Sequence, residues 1–158
     1  MKIKFSKSMH LDQYDIDHLA KSINYPLPDS LKKFFIEFNG SVPEANVFTI
    51  DEKNESGINE LIPVSKIIDE LKYLDGVGSK VIPVAVAEGG NYVVIDLNNN
   101  ATVYFWDHEE PQGLTKLAST IFDFLDKLVP FDPDNIELED GQVESAWIDP
   151  DFLKNLKQ

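Results

Sequence analysis

The chain has 158 residues, a formal net charge of −14 and no cysteine. That length can bury a sizeable core without staples, and the missing cysteine excludes disulfides, thiolate metal sites and cysteine nucleophiles. All 14 basic residues are lysine, so no guanidinium fork exists for phosphate or guanine, and nucleic-acid binding is not expected of so acidic a protein.

The first fifteen residues carry lysines but no apolar stretch of the kind a secretory signal needs, and no apolar run approaches the ~20 residues of a membrane helix. A cytoplasmic protein without a membrane segment is expected. Leu11 to Ile23 reads as a first helix, with Ile16, Leu19, Ala20 and Ile23 on one face. Leu27-Pro28-Asp29 opens a second, whose stripe is Leu31, Phe34, Phe35 and Phe38 and whose C-terminal stop is Gly40. Val47 to Ile50 reads as a short strand and Asp51 to Glu60 as a polar loop. Ser65 is placed to cap a third helix running to about Leu74.

Three strands come next. Val81–Ala87, Tyr92–Leu97 and Thr102–Trp106 are separated by Glu88-Gly89-Gly90-Asn91 and Asn98-Asn99-Asn100, residues that accept positive φ in tight turns. A fourth helix is expected from about Lys116 to Leu128, ending at Pro130. From Leu128 to Leu153 there is no basic residue, yet Phe131, Ile136, Leu138, Val143, Trp147, Ile148, Phe152 and Leu153 are apolar. That is too much apolar surface for a disordered acidic tail, so residues 130–158 are expected to pack on the body as an acidic extension. The chain as a whole reads as one α+β domain, a central antiparallel sheet with helices packed mainly on one side.

No catalytic set emerges. Gly76-Val77-Gly78-Ser79-Lys80 has the wrong residue order for a phosphate loop and precedes a strand instead of following one. Asp107-His108-Glu109-Glu110 offers ligand-type side chains at a strand end, but His10 and His18 lie far off without metal-like spacing. No nucleophile elbow is present. No enzyme activity, cofactor or metal is expected. In the third strand, Val103 and Phe105 should join Val93 and Ile95 in the core, which leaves Tyr104 and Trp106 on the opposite face. There they are either covered by the tail or form an aromatic patch rimmed by acids, the type of surface interfaces favour.

Four blocks, in order, carry a family resemblance. Leu27-Pro28 with Leu31, Phe34, Phe35 and Asn39-Gly40 comes first, then Ile82-Pro83-Val84-Ala85, then Gly89-Gly90-Asn91 through Asp96. Last comes Val103-Tyr104-Phe105-Trp106-Asp107-His108, followed by Leu117-Ala118-Ser119 and Phe122, Phe124, Leu125. Across residues 11 to 129 the chain resembles the SUKH superfamily of Smi/Knr-type domains. It departs from the pattern at Glu88, where Asp is common, and at Ser41, which replaces a second glycine. The resemblance implies a non-catalytic binding protein. Its bacterial members resemble immunity proteins that neutralise a cognate toxin, often a nuclease, by stoichiometric contact. Its eukaryotic members suggest the alternative of a general interaction scaffold, and a small-ligand binder or enzyme built around His108 is the third reading. An acidic inhibitor suits the basic groove of a nuclease, so the partner expected is a basic toxin protein. The contact residues expected are Glu88, Tyr104, Trp106, Asp107, Glu109, Glu110, Asp132, Asp134, Glu139 and Asp140. A monomer or a weak edge-to-edge homodimer is expected.

Overall fold

The computed structural model describes residues 3–110 and 113–135, and these share one hydrophobic core. Helix α1 spans Gln13–Ile23 and α2 Asp29–Phe38. Strands β1 (Val47–Thr49) and β2 (Glu55–Leu61) precede helix α3 (Val64–Glu70). Strands β3 (Val81–Ala87), β4 (Tyr92–Asp96), β5 (Thr102–Trp106) and β6 (Leu114–Ala118) come after it, and helix α4 (Ile121–Asp126) succeeds them. The six strands form one sheet in the order β1 to β6, every neighbour antiparallel. The α+β class therefore stands. No helix among the described residues is long and apolar enough to cross a membrane.

The sheet curls. In a flat sheet β1 and β5, four spacings apart, would be about 19 Å from one another. Yet the rings of Phe48 on β1 and Phe105 on β5 are 5.9 Å apart, and Phe124 of α4 meets Phe48 edge-on at 5.3 Å. The concave face, with Val93, Ile95, Val103 and Phe105, thus closes around phenyl rings. The second face is covered too. Val94 is fully buried, and Tyr92, beneath Glu70 of α3, donates its hydroxyl to that carboxylate. Burial first, and then this bond, push the Tyr92 phenol well above its ordinary value of 10.0.

Helix ends are stitched by distant residues. The Lys80 ammonium donates to the carbonyls of Ile23 and Asn24 at the α1 C-terminus, where it also meets the helix dipole favourably. Asn39 is buried after α2. Its amide nitrogen donates to the Met9 and His10 carbonyls, and its oxygen accepts the Val64 N–H at 2.8 Å. One side chain thereby ties the N-terminal arm, α2 and α3 together.

Three expectations are corrected. The stretch Asp51 to Glu60 is not a loop throughout, because Glu55–Leu61 is strand β2. Glu55, Gly57 and Asn59 have weak strand propensity, and only pairing with β1 and β3 on its two sides makes the strand. Residues 114–118 form β6 rather than the start of a helix. Thr120 caps α4 instead, accepting the Asp123 N–H at 3.1 Å. Ser65 does not cap α3, which begins at Val64 and takes its cap from Asn39. The C-terminal extension beyond Asn135 lies outside the described residues.

Three stability outcomes are expected. Ala101 is held at φ 57°, in the left-handed region. That conformation costs an L-residue roughly 1–2 kcal/mol, and part of the relief is offset by the looser unfolded chain of a glycine variant. Ala101→Gly should raise stability by about 0.5–1 kcal/mol, read as a higher urea midpoint at unchanged slope. Asn39→Ala should cost about 2–3 kcal/mol, because it orphans the buried Val64 N–H and two carbonyls together. For Tyr92, the raised value means that folding favours the protonated phenol. Its contribution is intact below the unfolded value near 10.0 and is lost as pH climbs beyond it. Tyr92→Phe should remove that alkaline loss in pH-dependent denaturation.

Candidate functional site

In an antiparallel meander the β1–β2, β3–β4 and β5–β6 connections all fall at the same end of the sheet. Here they bring residues 50–56, 88–91, 105–110 and 113–115 around an open cleft of about 540 Å³. Five carboxylates line it: Asp51, Glu55, Glu88, Asp107 and Glu110. Ile50, Phe105 and Leu114 supply apolar wall, and none of the described lining residues is basic. Carboxylates gathered over a low-dielectric floor repel one another and focus a negative potential into the concavity.

Three of these acids, Asp51, Glu88 and Asp107, are placed by local chemistry. Asp51 closes an Asx-type turn and accepts hydrogen bonds from the Lys53 N–H (2.8 Å), the Asn54 N–H (2.9 Å) and the Asn54 side-chain amide. The Asn54 amide, then the Lys53 N–H, hold the Asp51 carboxyl below its usual 3.8. Glu88 starts the β3–β4 turn, whose Gly89 and Gly90 both have positive φ. Its carboxylate lies across Gly57 of β2, where an added Cβ would stand 2.8 Å from the Glu88 oxygen. Only a glycine leaves room for that approach. Asn91 closes the turn against the next hairpin, its Oδ1 accepting the His108 backbone N–H at 3.0 Å and lying 2.7 Å from the imidazole Nδ1. Asp107 accepts the Glu109 N–H at 2.9 Å, which shapes the β5–β6 connection.

The profile of the SMI1 / KNR4 family (SUKH-1) matches residues 10–127. The chain belongs to this family. No curated protein matches the chain. The SUKH-1 match takes in α1 through α4 and the whole described cleft, and it ends before the acidic segment that begins after Pro130. The residues that carried the resemblance turn out to be structural joints of the SUKH-1 domain. Asn39 is the three-way staple, Gly89 and Gly90 make the turn, and His108 locks that turn through Asn91.

Of the expected contact residues, the fold brings Glu88, Asp107 and Glu110 together in the cleft, with Glu109 exposed on the same connection. Tyr104 and Trp106 belong to the other face. Trp106 is only 3% exposed and packs 5.9 Å from the Tyr92 ring, so the open aromatic patch is closed at its centre. Tyr104 is half-buried and its hydroxyl accepts a hydrogen bond from Asn99. Asp132 and Asp134 are exposed on the segment after Pro130 and do not line the cleft. Glu139 and Asp140 lie outside the described residues. Sequence reading missed Asp51, Asn54 and Glu55. Treating 51–60 as one loop hid β2, and without β2 the meander that places these acids beside Glu88 could not be drawn.

The Asp51 turn is testable. Its depressed carboxyl favours the folded state above the unfolded value of 3.8, and the gain is lost as pH falls through the folded value. A carboxyl NMR titration should place the Asp51 midpoint below 3.8, and Asn54→Ala should move it back toward that value.

Proposed function

We propose that this SUKH-1 protein is a cytoplasmic immunity protein that binds and neutralises a cognate toxin by stoichiometric contact through the acidic cleft. The observation that carries the reading is the convergence of Asp51, Glu55, Glu88, Asp107 and Glu110 in one concavity whose described lining holds no compensating base. A family of interaction domains, a formal net charge of −14 and a concave carboxylate-lined surface together suit a partner with a protruding cationic element. The basic substrate groove of a nuclease-type toxin has that character, since it must attract phosphates. Among the described residues no group of three or more His, Asp or Glu side chains is disposed to hold a metal ion. The acids are spread for contact with several lysines or arginines of a partner. Glu109 extends the same negative surface at the rim. A general scaffold role in the manner of the eukaryotic members rests on family membership alone.

The test is binding to the product of the neighbouring toxin-type open reading frame. Long-range attraction between opposite charges sets the association rate and is screened over about 8–10 Å at ordinary salt. The rate constant for association should fall steeply as salt rises. Glu88→Lys combined with Glu110→Lys should lower it by roughly tenfold or more, while the thermal unfolding of the variant stays near that of the parent. Association that is flat with salt and indifferent to the double charge reversal would remove the cleft from the mechanism.

A further inference from the structure

β1 and β6 are the two ends of the sheet and do not pair with one another. The cleft opens between them, with the β1–β2 hairpin on one side and the start of β6 on the other. The outer edge of β1 is covered at Val47, whose N–H and carbonyl exchange hydrogen bonds of 2.9 Å with Val129. β6 is paired on one side alone. Its ladder joins it to β5, and no backbone hydrogen bond from another described residue reaches its other edge. At the far end of β6 the Lys127 ammonium donates to the Leu117 carbonyl at 3.2 Å. Leu114 to Lys116, the end at the cleft, keep an open edge. An edge strand turns alternate N–H and C=O groups outward, and that row is a template for another strand.

The faces of β6 differ. Thr115 sits opposite Phe105 on the concave side and lines the cleft, whereas Lys116 sits opposite Tyr104 on the outer side. The cleft floor holds one further group. Ser56 of β2 lines the cleft and stands opposite Phe48, on the concave side. The residue is only 9% exposed, and its hydroxyl makes no hydrogen bond among the described residues. Every described side-chain nitrogen or oxygen that is sealed from solvent has a partner, so this hydroxyl reaches the cleft. A largely buried hydroxyl without a partner costs free energy that an incoming polar group recovers.

We propose that the cleft takes an extended basic segment of the partner, which adds to the free edge of β6 as a seventh strand. The inference rests on the reading of the cleft as the partner surface and names what the partner inserts there. Strand addition supplies main-chain hydrogen bonds for affinity, and alternate side chains supply specificity. Every second side chain of the added strand faces the concave side. Those side chains are lysine or arginine, set against Asp51, Glu55, Glu88, Asp107 and Glu110, and one cationic head donates to the Ser56 hydroxyl. The intervening side chains stand beside Lys116 on the outer side, where a second cation is repelled. The segment therefore alternates cationic and uncharged residues. A strand is roughly 4.8 Å by 10 Å in section and rises about 3.4 Å per residue, so the cleft of about 540 Å³ holds about three residues, the length of the open edge from Leu114 to Lys116. A second copy of this chain, with its formal net charge of −14, is repelled from such a cleft.

The probe is a short synthetic peptide of alternating lysine and valine. Two peptides of the same charge serve as controls, one N-methylated along its backbone to remove its strand-pairing donors and one with its lysines in a block. Added to the full chain at low salt, the alternating peptide should shift the amide signals of Leu114 to Lys116 saturably and slow their hydrogen exchange by roughly tenfold or more. Both controls should bind roughly tenfold more weakly or worse. Ser56→Ala removes no hydrogen bond made among the described residues, so it should keep the urea midpoint while weakening the alternating peptide by about tenfold, the worth of a net hydrogen bond to a charged group. Unaffected β6 amides, or three peptides that bind alike, overturn the inference. If Glu88 and Glu110 alone respond, the cleft stands as a cation surface and only the strand is lost. Protection of β6 that survives Glu88→Lys with Glu110→Lys undiminished removes the cleft from the contact and with it the reading on which the inference rests. Protection that grows with protein concentration in the absence of peptide makes the occupant a second copy and also overturns it.

Discussion

Closure of the curled sheet on three phenyl rings is the constraint from which the rest of the structure descends. Phe48, Phe105 and Phe124 come from the first strand, the fifth strand and the last helix, and their rings meet within 5.9 Å. Aromatic pairs of this kind add about 0.5–1.5 kcal/mol beyond the area they bury. Their contact draws β1 toward β5 and turns a flat meander into a concave body. Concavity is what lets three hairpin connections face one another around a cleft. A flatter sheet with the same strand order would spread the same five carboxylates along an edge, with little focusing of potential.

Around that curl the polar residues of the SUKH-1 pattern act as fasteners. Asn39 satisfies the first backbone donor of α3 while holding the N-terminal arm. Asn91 and His108 bind the β3–β4 turn to the β5–β6 connection. Gly57 opens room for Glu88. Each replaces a solvent hydrogen bond or a steric clash with a defined geometry, and the geometry sets where the neighbouring acids stand. The division of labour is clear on the strands themselves: β4 and β5 bury residues on both faces, whereas four of the five cleft carboxylates stand in the connections and the fifth, Glu55, opens β2.

Surfaces of the protein differ in electrostatics as well as in place. The cleft gathers carboxylates without a described base, whereas the N-terminal arm exposes Lys4 and Lys7.

Local sequence was enough to determine much of this protein. Amphipathic spacing located α1 and α2 within a residue or two, and the glycine- and asparagine-bounded apolar runs located β3, β4 and β5, because strong period and turn chemistry act over a few residues. It also identified Glu88, Asp107 and Glu110 as acids at strand ends. Tertiary structure alone decided what depends on partners distant in the chain. β2 and β6, poor in strand formers, exist because neighbouring strands hydrogen-bond to them. Trp106 is buried on a face it shares with the Tyr92 ring, from the neighbouring strand. α3 is capped from 25 residues away by Asn39. Asp51 and Glu55 join the cleft only once β2 is paired and the sheet has curled. Residue type thus determined that the protein would be an acidic α+β domain, and long-range pairing, which no local window contains, decided which acids would share a cleft.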